Sequence, residues 1–163
     1  MKYTKIYLDL DGVIADFNKR FIELFGLSPR SADARKEFGQ YFTEFIAGKQ
    51  FASLDLMPDA HTLLGYLKHT GIPVEILSST ARESSHRAIS YQKELWLEKQ
   101  GIVYPRNFVP GKKHKKDFAD PSHIIIDDTE SVIKDWKEAG GVAIHHKDAL
   151  TTISVLDTLV RAG

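Results

Sequence analysis

Asp9 and Asp11 stand two residues apart at the end of a short apolar run, directly before Gly12. Ile6, Tyr7, Leu8 and Leu10 give that run the length and composition of a strand. In an extended chain, residues two apart point to one face, so both carboxylates emerge together where the strand ends. Unpaired buried charge is costly, and a hard divalent cation is the natural partner for such a pair. The ordinary alternative is a strand that ends in an Asp-Gly turn with two solvated acids. A second acidic pair, Asp127-Asp128, follows His123-Ile124-Ile125-Ile126, the most strand-like stretch of the chain. Pro73-Val74-Glu75-Ile76-Leu77 runs into Ser78, Ser79 and Thr80, hydroxyls that suit an anion site before a helix N-terminus or, more simply, a helix cap. Gly111 to Asp117 brings Lys112, Lys113, His114, Lys115 and Lys116 just ahead of the second acidic pair. Alone, that run reads as a solvated loop or a weak nucleic-acid patch.

The elements that must position these groups alternate. Phe17, Phe21, Leu24 and Phe25 recur at helical spacing, with Gly26 as a stop. Leu27 to Ser31 reads as a turn, and residues 34–48 as one or two short helices rich in aromatics. A helix follows Met57-Pro58-Asp59 with Leu63, Leu64 and Leu67 as its stripe. Residues 83–100 form a long helix with Ile89, Leu95, Trp96 and Leu97. Asn107 to Val109 is a short strand, Val132, Ile133 and Trp136 mark a further helix, and Val142 to Ile144 is a last strand. The C-terminal helix starts near Asp148 and is expected to bury Leu150, Ile153, Leu156 and Leu159. Strands alternating with helices predict an α/β fold, a doubly wound parallel sheet covered on both faces, in which ligands bind at the carboxyl ends of the strands. Residues 1–15 and 56–163 are expected to form that core, and 16–55 a small helical insertion after the first strand.

The bulk numbers fit one domain. The chain has 163 residues, 42% hydrophobic and 27% charged, enough for a proper core. A formal net charge of zero gives no global signal for nucleic acid or a membrane surface. The absence of cysteine excludes disulfides, thiolate metal sites and a Cys nucleophile. No apolar run approaches the roughly 18 residues that cross a bilayer, and no signal-peptide pattern precedes the first strand, so a cytoplasmic location is expected.

Asp9-Leu10-Asp11-Gly12, the hydroxyl of Ser78, a lysine near 115 and Asp127-Asp128 resemble, in order, the four motifs of the haloacid dehalogenase-like phosphohydrolases. Within them the chain is most similar to the 5'(3')-deoxyribonucleotidases and their phage and bacterial relatives. That likeness rests on residues 11–17 (DGVIADF), on Phe51-Ala52-Ser53-Leu54 before Met57-Pro58-Asp59-Ala60, and on Gln92-Lys93 with Trp96-Leu97. The resemblance implies a Rossmann-like core with a helical cap and a phosphomonoesterase for nucleoside 5'-monophosphates, deoxynucleotides above all. Asp9 would be the nucleophile and Asp11 the general acid and base. Mg²⁺ would sit on Asp9, Asp128 and the backbone carbonyl of Asp11. Ser78, Ser79 and a lysine would hold the phosphate oxygens. Lys115 has the spacing to Phe118 that the relatives suggest, with Lys116 as the alternative, and Asp127 would orient the lysine or a metal-bound water. Phe17, with Phe42 and Phe45, offers flat surfaces for a base, and Arg82 could reach the phosphate or the base. Rival readings are a phosphatase for another small ester such as a sugar phosphate, a non-catalytic phosphate-binding regulatory domain, and a nucleic-acid end phosphatase, which the zero net charge disfavours. The expected partner is a small phosphate ester, with neither membrane nor nucleic acid; a homodimer is compatible with the sequence.

Overall fold

A computed structural model describes residues 2–162. Five strands, β1 (Lys5–Leu8), β2 (Val74–Ser79), β3 (Arg106–Val109), β4 (His123–Asp127) and β5 (Val142–His145), form one sheet in the order β3-β2-β1-β4-β5. All pairings are parallel, so every strand ends at the same edge. The chain leaves β1 for one neighbour and later returns to place β4 on its other side, so the strand order reverses around β1. That reversal opens a crevice beyond its carboxyl end. Leu8 lies level with Ile76 on one side and Ile126 on the other. Asp9, Ser78 and Asp127 therefore reach the sheet edge together.

The period of two decides what each edge residue meets. Ile6, Leu8, Ile76, Ile124 and Ile126 belong to one apolar cluster, whereas Tyr7, Leu77, Val109 and Ile125 belong to a second on the opposite face. Helix α6 (Glu130–Glu138) supplies Val132, Ile133 and Trp136 to the second cluster. The first is covered by helices α4 (Ala60–Leu67), α5 (Glu83–Lys99) and α7 (Ala149–Ala162).

Between β1 and α4 lie α1 (Phe17–Phe25), α2 (Ala32–Lys36), α3 (Phe38–Ala47) and a 3-10 helix, Gln50–Ser53. Asp16 caps α1 by accepting from the Lys19 amide at 3.2 Å, and Gly26 ends it in the left-handed conformation. Ser31 caps α2 through the Ala34 amide. The aromatics of this segment pack together, with Phe21 and Phe45 fully buried and Phe17, Phe38 and Phe51 around them. Their cluster is continuous with that of the sheet. Helix α5 ties the segment down: Trp96 Nε1 donates to the Leu54 carbonyl at 2.7 Å, and Gln92 Nε2 to that of Ile46 at 2.9 Å.

Three expected stripe residues lie outside. Leu24, Leu95 and above all Leu150, 73% exposed, face solvent. In α7 the inward positions are Thr152 and Leu156, because Ala149 docks the helix start: its amide donates to Asp59 Oδ2 at 2.7 Å. That tether rotates Leu150 outward. Among the described residues no helix is long and apolar enough to cross a membrane.

Candidate active site

A cavity of about 550 Å³ opens beyond the ends of β1, β2 and β4. Asp9, Asp11, Ser79, Lys115 and Asp128 line its polar floor, and Phe17, Phe38, Phe42 and Phe51 its apolar wall. Its volume falls in the range of roughly 300–1,000 Å³ usual for small-ligand sites.

The floor is a network of buried charge. The Asp9 amide continues the β1–β4 ladder to the Ile126 carbonyl, and the residue is only 5% exposed. The basic run between β3 and β4 folds as a 3-10 helix, Lys112–Phe118, on the Tyr7 face of the sheet, where Phe118 packs on Tyr7. Asp127 shares the parity of Ile125 and so faces that helix. Lys115 comes down from it, 2% exposed, and donates to Asp9 Oδ1 at 3.0 Å and Asp127 Oδ2 at 2.6 Å. Lys116 is exposed. Asp127 Oδ1 accepts from the Thr129 amide at 2.9 Å, so both of its oxygens are engaged. Among the described residues no protein donor reaches Asp9 Oδ2 or the Asp11 carbonyl.

Burial raises the Asp9 carboxyl well above its ordinary value; repulsion from Asp127 adds to this, and Lys115 opposes it. Asp128 moves the same way, by burial first and Asp127 second, against Lys112 and Arg30. Burial alone would depress Lys115, but Asp9 and Asp127 hold its ammonium above its usual value.

Asp9, Asp127 and Asp128 each present a carboxylate oxygen within 4.8 Å of the others. Three carboxylates face one ammonium there, an excess of negative charge carried by hard oxygens. The unengaged Asp11 carbonyl adds to the donor set, so these residues fit a hard divalent cation that keeps several waters. Gly12 keeps this group compact. Its φ is +82°, and a Cβ there would lie 1.9 Å from Asp128 Oδ2. Gly12→Ala is therefore expected to displace Asp128, to weaken any divalent-cation binding there about 10–100-fold, and to lower stability by about 1–3 kcal/mol. Isothermal titration and thermal melting measure the two effects, and wild-type values for both would show that Asp128 has no such constraint.

The hydroxyls divide between the faces. Ser78 shares the parity of Ile76, is fully buried, and accepts from Lys93 Nζ of α5 at 2.6 Å. Ser79, on the opposite side, lines the cavity. Of the two serines expected at the phosphate, it is thus Ser79 that opens to the floor. The turn that follows is strained: Ala81 has φ +73°, and the Arg82 amide returns to the Thr80 carbonyl at 2.9 Å, as in a γ-turn. This turn also directs Arg82 into solvent, away from the cavity lining. Arg30, from the turn between α1 and α2, is the guanidinium at the cavity, with Nη2 3.6 Å from Asp128 Oδ2. Phe17 and Phe42 line the wall as expected, but Phe45 is fully buried behind them, and Phe38 and Phe51 take its place.

Asp11 does not join the three-acid group. Its Oδ2 accepts from Lys93 Nζ at 2.9 Å on the α5 side of the cavity. Lys93 follows Ile89 by four residues and precedes Trp96 by three, so it sits on the buried stripe of α5. A lone lysine on such a stripe was the signal for a buried partner.

No protein-family model matches this chain, and no curated protein matches it. Solved structures do. A hydrolase from Streptococcus pneumoniae TIGR4 superposes with a TM-score of 0.58 at 18% identity, covering 96% of this chain and 100% of that one. The fold is that of the haloacid dehalogenase-like hydrolases. A HAD-superfamily hydrolase from Ehrlichia chaffeensis matches with a TM-score of 0.54 at 13% identity over 98% of this chain and 99% of its own. A D,D-heptose 1,7-bisphosphate phosphatase from Burkholderia thailandensis matches with 0.53 at 12% over 96% and 98%. At these identities the likeness establishes the common fold.

Proposed function

We propose that this chain is a Mg²⁺-dependent phosphomonoesterase for nucleoside 5'-monophosphates, deoxynucleotides above all, working through an aspartyl-phosphate on Asp9. The observation that carries this reading is the pairing in one cavity of an anion-handling floor, Asp9 with Lys115 and Ser79, and a wall of aromatic rings.

Asp9 Oδ2, free of protein donors, attacks phosphorus in line as the bond to the ester oxygen breaks. Asp11 gives its proton to the departing alkoxide, which leaves as the alcohol. Water then attacks the aspartyl-phosphate, Asp11 takes its proton, and phosphate leaves with the Asp9 carboxylate restored. Lys115 and the hydroxyl of Ser79 hold the transferring oxygens as charge moves onto them. Asp9, Asp128 and the Asp11 carbonyl would hold Mg²⁺, which when bound offsets the repulsion between nucleophile and phosphate. Asp127 keeps Lys115 in place. Phe17, flanked by Phe45 and Phe51, offers one flat face to a base.

Phosphate release from nucleoside 5'- and 3'-monophosphates and sugar phosphates, with Mg²⁺ and with EDTA, tests the reading. Turnover concentrated on deoxynucleotides and abolished by EDTA is expected. Turnover spread over sugar phosphates would keep the chemistry and remove the nucleotide. Phe17→Leu keeps the wall apolar but removes the ring, and it is expected to raise KM for nucleotides about fivefold, at the low end of base-stacking energies. KM for a sugar phosphate should stay unchanged; an equal rise for both would mean that Phe17 only packs.

A further inference from the structure

Among the described residues, Lys93 is the one buried cation near the floor to which the mechanism above gives no task. It is 2% exposed, in the middle of α5. Its three strong contacts are Asp11 Oδ2 at 2.9 Å, Ser78 Oγ at 2.6 Å and the Ser79 carbonyl at 2.8 Å, and Asp11 and Ser79 line the cavity. Its ammonium also lies 5.2 Å from the centre of the Phe51 ring, part of the cavity wall. A buried ammonium needs its donors satisfied, and here three oxygens and a ring face satisfy it. The site thus contains two buried lysines that between them hold three of its four acids. Lys115 bridges Asp9 and Asp127, and Lys93 holds Asp11 apart from both.

The separation matters because of where Asp11 sits in the chain. It is two residues from Asp9 and adjoins Gly12, which lies against Asp128. An unrestrained carboxylate there would swing toward any cation bound by Asp9 and Asp128. A carboxylate that ligates a metal is not available to carry a proton to a leaving group. We propose that Lys93 is a positioning residue: it fixes the Asp11 carboxylate on the α5 side of the cavity, out of the three-acid group and toward the leaving group. This rests on the phosphomonoesterase reading and adds to it the residue that makes Asp11 a proton carrier and not a ligand. The contact with Phe51 joins that residue to the wall that would pack on the leaving group.

The test uses single-turnover release of the leaving group, with protein in excess over ester. A deoxynucleoside leaves as an alkoxide and needs the proton from Asp11, whereas nitrophenolate leaves from p-nitrophenyl phosphate without one. Lys93→Met keeps the stem and removes the charge. It is expected to slow deoxynucleoside release on the order of 10²-fold or more, the usual worth of a general acid, and to leave nitrophenolate release near the wild-type rate. Titration with Mg²⁺ is expected to show tighter binding to Lys93→Met than to wild type, because Asp11 joins the ligands. Equal losses for the two esters, or a Mg²⁺ affinity unchanged by Lys93→Met, would each overturn the proposal. If Lys93→Met does not fold, Asp11→Asn combined with Lys93→Met removes the stranded carboxylate as well. That protein is expected to match Asp11→Asn alone, and a further loss would overturn the proposal, since a residue acting through Asp11 adds nothing once Asp11 is gone. If the wild-type protein releases neither leaving group, the phosphatase reading itself fails.

Discussion

Asp9→Asn is expected to leave a folded protein whose turnover is lower by roughly 10⁴-fold or more, the scale of losing a covalent nucleophile, and whose metal-free form melts above wild type. The amide keeps an oxygen for Lys115 Nζ, so the local hydrogen bond survives. What disappears is a carboxylate that the fold accommodates poorly. Burial and the nearby Asp127 raise the Asp9 carboxyl above its ordinary value of 3.8. The folded chain therefore holds this proton more tightly than the unfolded chain does. The associated stability is fully present below that ordinary value and is lost as pH rises through the raised one. Without metal, wild type thus bears, as pH rises, the cost of ionising a buried carboxylate that the variant lacks. The stability advantage of Asp9→Asn is expected to be small in acid and to grow as pH rises through the raised value. Mg²⁺ should raise the melting temperature of wild type more than that of the variant. Thermal melts across pH with and without Mg²⁺, beside a turnover assay, read all of this. A variant that keeps turnover, or one less stable than wild type at neutral pH, would remove Asp9 from the centre of the site.

Lys115→Met has the opposite sign. Asp9 and Asp127 then lie buried beside Asp128 with no ammonium among them. Breaking a buried ion pair from one side costs about 3–5 kcal/mol, against a total stability of about 5–15 kcal/mol for an ordinary domain. Burial opposes the charge on Lys115, but the two aspartates outweigh it and keep the amine protonated through the whole working range. The deficit of the variant is therefore set by the carboxylates alone. It is expected to be largest at neutral pH and to shrink as pH falls and they take up protons. Denaturant titrations at several pH values measure it. A deficit that is equal at all pH values would assign the loss to packing of the stem and not to charge.

Much of this was legible in the residues themselves. Strands and acids coincide because a buried parallel strand is apolar to its end and then meets the crevice. Ile124-Ile125-Ile126 before Asp127 states this directly, and β1 states it with Asp9. Parity along the strands also separates Ser78 from Ser79 and sends Asp127 to the face of Lys115, but only once the direction of each face is fixed by the sheet order. What the chain could not declare locally were contacts across it. Arg30 reads as part of a turn, and only packing of the segment between β1 and α4 brings it to Asp128. Arg82 looked as suitable, yet the γ-turn at Ala81 directs it outward. Phe45 and Leu150 fit helical stripes whose rotation depends on tertiary docking, Phe45 behind Phe17 and Phe51, and Leu150 beside the Ala149–Asp59 tether. Lys93 was visible as a charge on an apolar stripe; its partner Asp11, 82 residues away in sequence, was not.

The most direct test of the central claim is to mix the protein with Mg²⁺ and a deoxynucleoside 5'-monophosphate labelled in its phosphate, and to quench in acid within a turnover. The expected result is label bound covalently to the peptide that contains Asp9, released by hydroxylamine as an acyl phosphate should be, and absent from Asp9→Asn. Turnover of the nucleotide with no labelled protein, or label on any other residue, would contradict it.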